Sequence, residues 1–149
     1  MSDDKINIWM QMLEGQNNHG RHHESLRSQS ANIILAVSAA LLAFLASTTA
    51  WQDKAWALIP FLILINVYGF IMSIKHHERS RLHYSVARSY ANVISEATRV
   101  GGKSLNQVRA VAHENHKQRF SLVRKLPANV LWSGLHLLIA GMGVCFLLN

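Results

Sequence analysis

The chain of 149 residues is half hydrophobic and 15% charged, with fifteen Lys and Arg against eight Asp and Glu and a formal charge of +7. That length holds at most one domain, and a lone cysteine, Cys145, excludes a disulfide framework or a cysteine-based metal site. No nucleophile elbow, glycine-rich phosphate loop or pair of carboxylates occurs, so an enzyme is not expected and no cofactor is implied.

Residues 1–31 read as an amphipathic helical arm. Asp3 or Asp4 can cap a short first helix that carries Ile6, Trp9, Met10 and Leu13 on one face. Gly15 and Gly20 predict a break or bend, and from about Arg21 the pattern runs on into an apolar stretch. So polar a leader does not fit a cleavable secretory signal, and the stretch that follows is expected to stay as an anchor.

Three apolar stretches follow, 32–51, 55–74 and 128–149, each of about 20 residues, which at ~1.5 Å rise per residue span ~30 Å, a bilayer core. A soluble helix keeps a charged face, and these keep none. The expected class is therefore all-α, an integral membrane protein with three transmembrane helices. Small residues recur every fourth position in the first span (Ala36/Ala40 and Ala39/Ala43/Ser47), a ladder that lets helices approach closely within or between protomers. Asn66 and Ser73 share a face of the second span as interhelical glue or pore lining. In the third, His136 with Ser133 either lines a pore or bonds a neighbouring helix, because ionisable groups at such depth avoid lipid.

Residues 75–127 form a polar insert with eleven basic residues (Lys75, Arg79, Arg81, Arg88, Arg99, Lys103, Arg109, Lys117, Arg119, Arg124, Lys125) against three acids (Glu78, Glu96, Glu114). The positive-inside rule then puts this insert and the N-terminus in the cytoplasm and the C-terminus outside. The link Gln52-Asp53-Lys54 between the first two spans is short and neutral.

The insert reads as a long cytoplasmic helical hairpin. No Pro or Gly interrupts 75–100, Gly101-Gly102 supplies the turn, and Ser104 with Gln107 makes a capping box that restarts a helix. Pro127 ends the return arm or opens the third span. The predicted seam pairs Leu82, Val86, Val93, Ala97 and Val100 with Leu105, Val108 and Ala112, joined by Phe120, Leu122 and Val123. A seam this thin asks for further partners, either the N-terminal arm or other subunits.

Basic and aromatic side chains interleave on the hairpin: Arg79, Arg81, His83, Tyr84, Arg88 and Tyr90, then Arg99, Lys103, Arg109, Lys117 and Arg119. Cations neutralise phosphates while rings stack on bases, the chemistry of sequence-tolerant single-strand binding. Anionic lipid accounts for Lys75 and Lys125 at the bilayer edge. Arg88, Arg99, Lys103 and Arg109 would lie ~20 Å or more from the membrane, beyond a Debye length of ~8 Å, and ask for a soluble polyanion or an acidic protein.

Nine histidines include three His-Glu dipeptides, at His23, His77 and His113. Three arms would bring His23, His83 and His116 to a similar level, which keeps a divalent-metal sensor or transporter open. Helix-surface histidines near headgroups are the plainer reading, and no metal ligand is assigned.

Three segments carry a resemblance: Arg27-Ser28-Gln29-Ser30-Ala31-Asn32, Lys75-His76-His77-Glu78-Arg79-Ser80-Arg81-Leu82-His83 and Leu131-Trp132-Ser133-Gly134-Leu135-His136-Leu137-Leu138. With the order of arm, two close spans, basic helices and a third span, the chain resembles small bacterial antiphage membrane effectors. These are the SLATT-like group and above all the channel effector of Hailong defence. SLATT-like proteins have two spans, so the third favours the Hailong comparison. The resemblance implies a tetrameric inner-membrane channel. A nucleotidyltransferase encoded nearby would make single-stranded oligodeoxyadenylate, which binds the cytoplasmic part and holds the channel shut. Its loss during infection would open the membrane and arrest or kill the cell. The alternative from the residues alone is a non-conducting membrane scaffold that recruits an acidic partner.

Overall fold

The computed structural model describes residues 3–47, 51–100, 102–119 and 128–148, with side chains over 4–46, 57–98, 102–115 and 130–148. The order is α1 (Asp3–Ser47), α2 (Trp51–Ala97), β1 (Arg99–Val100), β2 (Lys103–Ser104), α3 (Leu105–Arg119) and α4 (Ala128–Leu148). Three of the four helices, α1, α2 and α4, are long and apolar enough to cross a membrane. The chain divides into two compact units: Met1–Glu24 with Glu78–Pro127, and Ser25–His77 with Ala128–Asn149.

The expected short first helix is replaced by one helix of 45 residues, unbroken at Gly15 and Gly20. Glycine inside a helix costs about 1 kcal/mol relative to alanine, and at Gly20 close packing accounts for its presence. Gly20 is buried, and a Cβ there would stand 2.7 Å from Tyr84 Cε1. The glycine lets Tyr84 lie against the backbone of α1. Residues 52–54, expected as a link, belong to the start of α2, which also carries Pro60 without interruption.

In the first unit α1 and α2 run antiparallel: Trp9 meets Tyr90 with ring centroids 5.5 Å apart, Gln16 meets His83, and Glu24 meets Ser80. The α1 face comprises Ile6, Trp9, Leu13, Gln16 and Gly20, and the α2 face Ser80, Tyr84, Ala87, Ala91 and Ile94. Both lists advance by alternating steps of three and four, the heptad spacing of paired helices.

This corrects the expected seam. Leu82 and Val93 are exposed, Val86 is half-buried, Ala97 is exposed, and the buried residues of this part of α2 are Ser80, Ala87, Ala91, Ile94 and Ser95. Leu105, Val108 and Ala112 of α3 are exposed as well. The side chain of Val100, and Phe120, Leu122, Val123 and Pro127, lie outside the described residues.

The turn is close to expectation, although α2 ends at Ala97 rather than Val100. The Thr98 hydroxyl donates to the Ile94 carbonyl at 2.7 Å, and Arg99–Val100 then pairs with Lys103–Ser104 as a two-strand ladder. Gly102 takes φ of 79°, where a side chain would be strained. The capping box forms: Ser104 N donates to Gln107 Oε1 at 2.8 Å, and Gln107 N donates to Ser104 Oγ at 3.3 Å. Asn106 N donates to Ser95 Oγ at 3.1 Å, which ties the start of α3 to α2.

The second unit packs three helix segments around Ala31, Ile34, Leu45, Ile59, Leu62 and Ala140, all buried. A Cβ on Gly143 would stand 2.7 Å from Ile63 Cγ1, so α4 approaches α2 closely there. Ser38, Asn66, Ser73 and His136 are buried in the same core.

Candidate functional site

The first unit presents a basic groove between α2 and α3. It is lined by Arg88 and Asn92 from α2 and by Asn106, Arg109, Ala110, Ala112 and His113 from α3. Among the described residues no carboxylate lines it. Two guanidiniums therefore line the groove as donors, and an imidazole and two amides as groups that both donate and accept, a composition suited to phosphate and polar base edges. Arg88 is steadied by its Nε, which donates to the Tyr84 carbonyl at 3.3 Å.

Of the residues predicted to meet nucleic acid, the structure brings Arg88 and Arg109 into this groove. Asn92, Asn106 and His113 were not anticipated; their shared face depends on where the turn at 98–104 places α3. Arg79, Arg81 and Lys103 are exposed outside it, Lys103 beside a second cleft with Gly102, Gln107, Val108 and Val111. The side chains of Arg99, Lys117 and Arg119 lie outside the described residues.

His83, Tyr84 and Tyr90 do not offer open stacking faces. Tyr90 packs on Trp9, and His83 bonds Gln16 with Nδ1 and Oε1 2.7 Å apart. Tyr84 lies on Gly20 and its hydroxyl donates to Glu24 Oε2 at 3.1 Å, while Ser80 Oγ donates to Glu24 Oε1 at 3.4 Å. Burial, with the Glu24 carboxylate next in weight, holds the Tyr84 phenol above its ordinary range, so it stays a donor. The aromatic side chains Tyr84 and Tyr90 of α2 therefore face α1.

The second unit holds a polar core built from all three of its helices. Asn66 Nδ2 donates to Ser38 Oγ at 2.8 Å and to the Leu62 carbonyl at 2.9 Å. Both amide hydrogens are thus used, and Asn66 Oδ1 is left to accept from His136 Nδ1 at 3.2 Å. Gly69 makes the room: a Cβ there would stand 2.9 Å from His136 Cε1 and Nδ1. Ser133 Oγ donates to Ser73 Oγ at 3.3 Å.

Asn66, Ser73, Ser133 and His136 therefore bond between helices of one chain, and His136 is buried. Ser38, absent from the sequence-based set, completes the cluster. The ladder Ala36, Ala39, Ala40 and Ala43 is exposed, and the Ser47 side chain lies outside the described residues.

Of the expected level set, His23 and His83 meet, and the side chain of His116 lies outside the described residues. His83 also meets His19 of α1. No protein-family model, curated protein or solved structure matches this chain.

Proposed function

We propose that this chain is the protomer of an oligomeric channel in the bacterial inner membrane. Its conductance is set, and held low, by an anionic nucleic-acid strand bound in the cytoplasmic groove. The groove is the observation that carries this reading: Arg88, Arg109, His113, Asn92 and Asn106 converge with no acid among them. Two guanidiniums without a facing carboxylate favour a polyanion.

The three apolar helices supply the membrane part, and the cationic excess of 75–127 orients it with the groove inside. Three helices cannot enclose a sealed pathway, so conduction needs a ring of copies. The exposed ladder of Ala36, Ala39, Ala40 and Ala43 permits the close approach such a ring requires. In the antiphage context the strand is a single-stranded oligodeoxyadenylate from a nucleotidyltransferase encoded nearby, and its destruction during infection opens the channel.

Titrating the purified full-length protein with oligodeoxyadenylate at several salt concentrations tests the ligand. Each phosphate neutralised on a single strand contributes a slope of roughly −0.7 in log affinity against log salt, so Arg88 and Arg109 alone predict about −1.4. Affinity indifferent to salt would remove the electrostatic basis of the proposal.

A scaffold recruiting an acidic partner is the second reading, and it is favoured by α3. That helix leaves Leu105, Val108 and Val111 exposed beside its cations. A scaffold passes no ions, which separates the two readings.

A further inference from the structure

The buried ring of His136 has one nitrogen accounted for and one not. Asn66 donates both amide hydrogens, to Ser38 Oγ and to the Leu62 carbonyl, and its Oδ1 can only accept. The proton of His136 therefore sits on Nδ1, 3.2 Å from that oxygen, and Nε2 carries a bare lone pair. Nε2 is buried and has no hydrogen-bond partner among the described residues. Gly69 lies against the ring, with Ile34 of α1 beside it: a Cβ on Gly69 would stand 2.9 Å from His136 Cε1 and 3.0 Å from Ile34 Cδ1.

Residues 28–46, 57–74 and 130–148 contain no Asp, Glu, Lys or Arg, and their other titratable side chains, Tyr68 and Cys145, are exposed. Toward the ring, α1 brings Ile34 and, through Asn66, Ser38; α2 brings Asn66 and Gly69. On α4 itself Ser133, one turn away, is bonded to Ser73. None of these carries charge. On α2 the nearest cation along the chain is Lys75, nine positions beyond Asn66 and so ~13 Å along the axis, followed by His76 and His77. On α1 it is Arg27, eleven positions before Ser38, with Nη1 3.3 Å from His77 Nδ1. The neutral ring fits this setting and an added proton does not. An imidazolium has a second N–H that needs an acceptor and a charge that needs solvation or a counter-ion, and the described residues around Nε2 supply neither.

We propose that His136 Nε2 is a proton-binding site in the core of the second unit, and that taking up a proton there loosens α4 from α1 and α2. The step is a simple transfer: a hydronium ion gives its proton to the Nε2 lone pair, leaving water and an imidazolium. The Nδ1–H bond to Asn66 survives it, so the demand arises at Nε2 alone. Water has to reach that nitrogen, and it does so by separating the helices that close over the ring. This inference goes beyond the channel reading and does not depend on it, because it concerns only packing inside one protomer.

Nitrogen NMR of the full-length protein with labelled histidine, in detergent micelles, reads the site directly. The signals of His136 are those that His136→Gln lacks. At about pH 8 they should show a proton on Nδ1 and a bare Nε2, the reverse of the arrangement free histidine prefers, and by about pH 5 both nitrogens should carry protons. Hydrogen exchange over the same range, corrected for the intrinsic effect of pH on amide exchange, reads the coupling. Amides of 130–148 in the wild type are expected to exchange at least about ten-fold faster at the acid end. His136→Gln keeps a donor for Asn66 without a titratable nitrogen, and its exchange should stay level. Should it fold poorly, the pair Asn66→Leu with His136→Leu removes both the titration and the polar partner and should be equally insensitive. A proton on Nε2 at about pH 8, a lone pair that persists to about pH 5, or equal acceleration in a non-titrating variant overturns the proposal.

Discussion

Arg88→Glu combined with Arg109→Glu is expected to weaken oligonucleotide binding on the order of 100-fold and to remove most of its salt dependence. Both guanidiniums line a groove of α2 and α3 that, among the described residues, holds no carboxylate. A charge-assisted contact to phosphate contributes about 1.5 kcal/mol or more, so losing two gives that scale, and reversal adds repulsion. The control is Arg21→Glu on α1. Its side chain lines a separate cleft with Glu14, so one charge reversal is made away from the groove, to be compared with Arg88→Glu or Arg109→Glu alone at the same change in net charge. Titrations in detergent distinguish the two: a loss confined to the groove variant supports a located site, whereas equal losses reduce the interaction to net charge.

The second large effect concerns the buried polar core. Asn66→Leu removes the acceptor of His136 Nδ1 and the donor to Ser38 Oγ in one step. His136 is fully buried, so its N–H is left with nothing to bond, at a cost of about 1–3 kcal/mol. Pairing Asn66→Leu with His136→Leu replaces both partners by apolar groups of similar size. The double variant should recover part of the lost stability, because the stranded His136 N–H is gone and only the Ser38 hydroxyl has lost its partner. Denaturant unfolding in mild detergent reads this cycle. If each single variant unfolds like the wild type, the Asn66–His136 bond does not hold the three helices together.

The elements read most clearly in the sequence were those whose signal is local. The three apolar helices, the turn at Gly102 and the reciprocal bonds of Ser104 and Gln107 all depend on residues within a few positions of each other. What the sequence concealed were contacts between distant segments. The seam of α2 was sought among Leu82, Val86 and Val93, the most apolar residues. The packed stripe runs instead through Ser80, Ala87 and Ala91, because small side chains let α1 come close. Gly20 looked like a helix breaker for the same reason. Its role is visible only once Tyr84, 64 positions later in the chain, lies against it.

The site followed the same rule. Arg88 and Arg109 stood out by charge alone, and they meet in the groove. Tyr84 and Tyr90 stood out by their interleaving with arginine, yet their rings are spent on α1. Ser38 carried no signal beyond being one serine in an apolar run, and only the facing Asn66 gives it meaning. Heptad spacing with Gly, Ala and Ser at the contact positions was the one available clue to the α1–α2 pairing.

The central claim is that a bound polyanion sets whether this assembly conducts. Reconstituting the purified protein in liposomes and following ion flux, with and without oligodeoxyadenylate on the groove side, tests it most directly. The account predicts flux without the strand, its suppression by the strand, and relief when a nuclease digests it. Liposomes that stay tight in every condition, or leak equally with and without the strand, would contradict it.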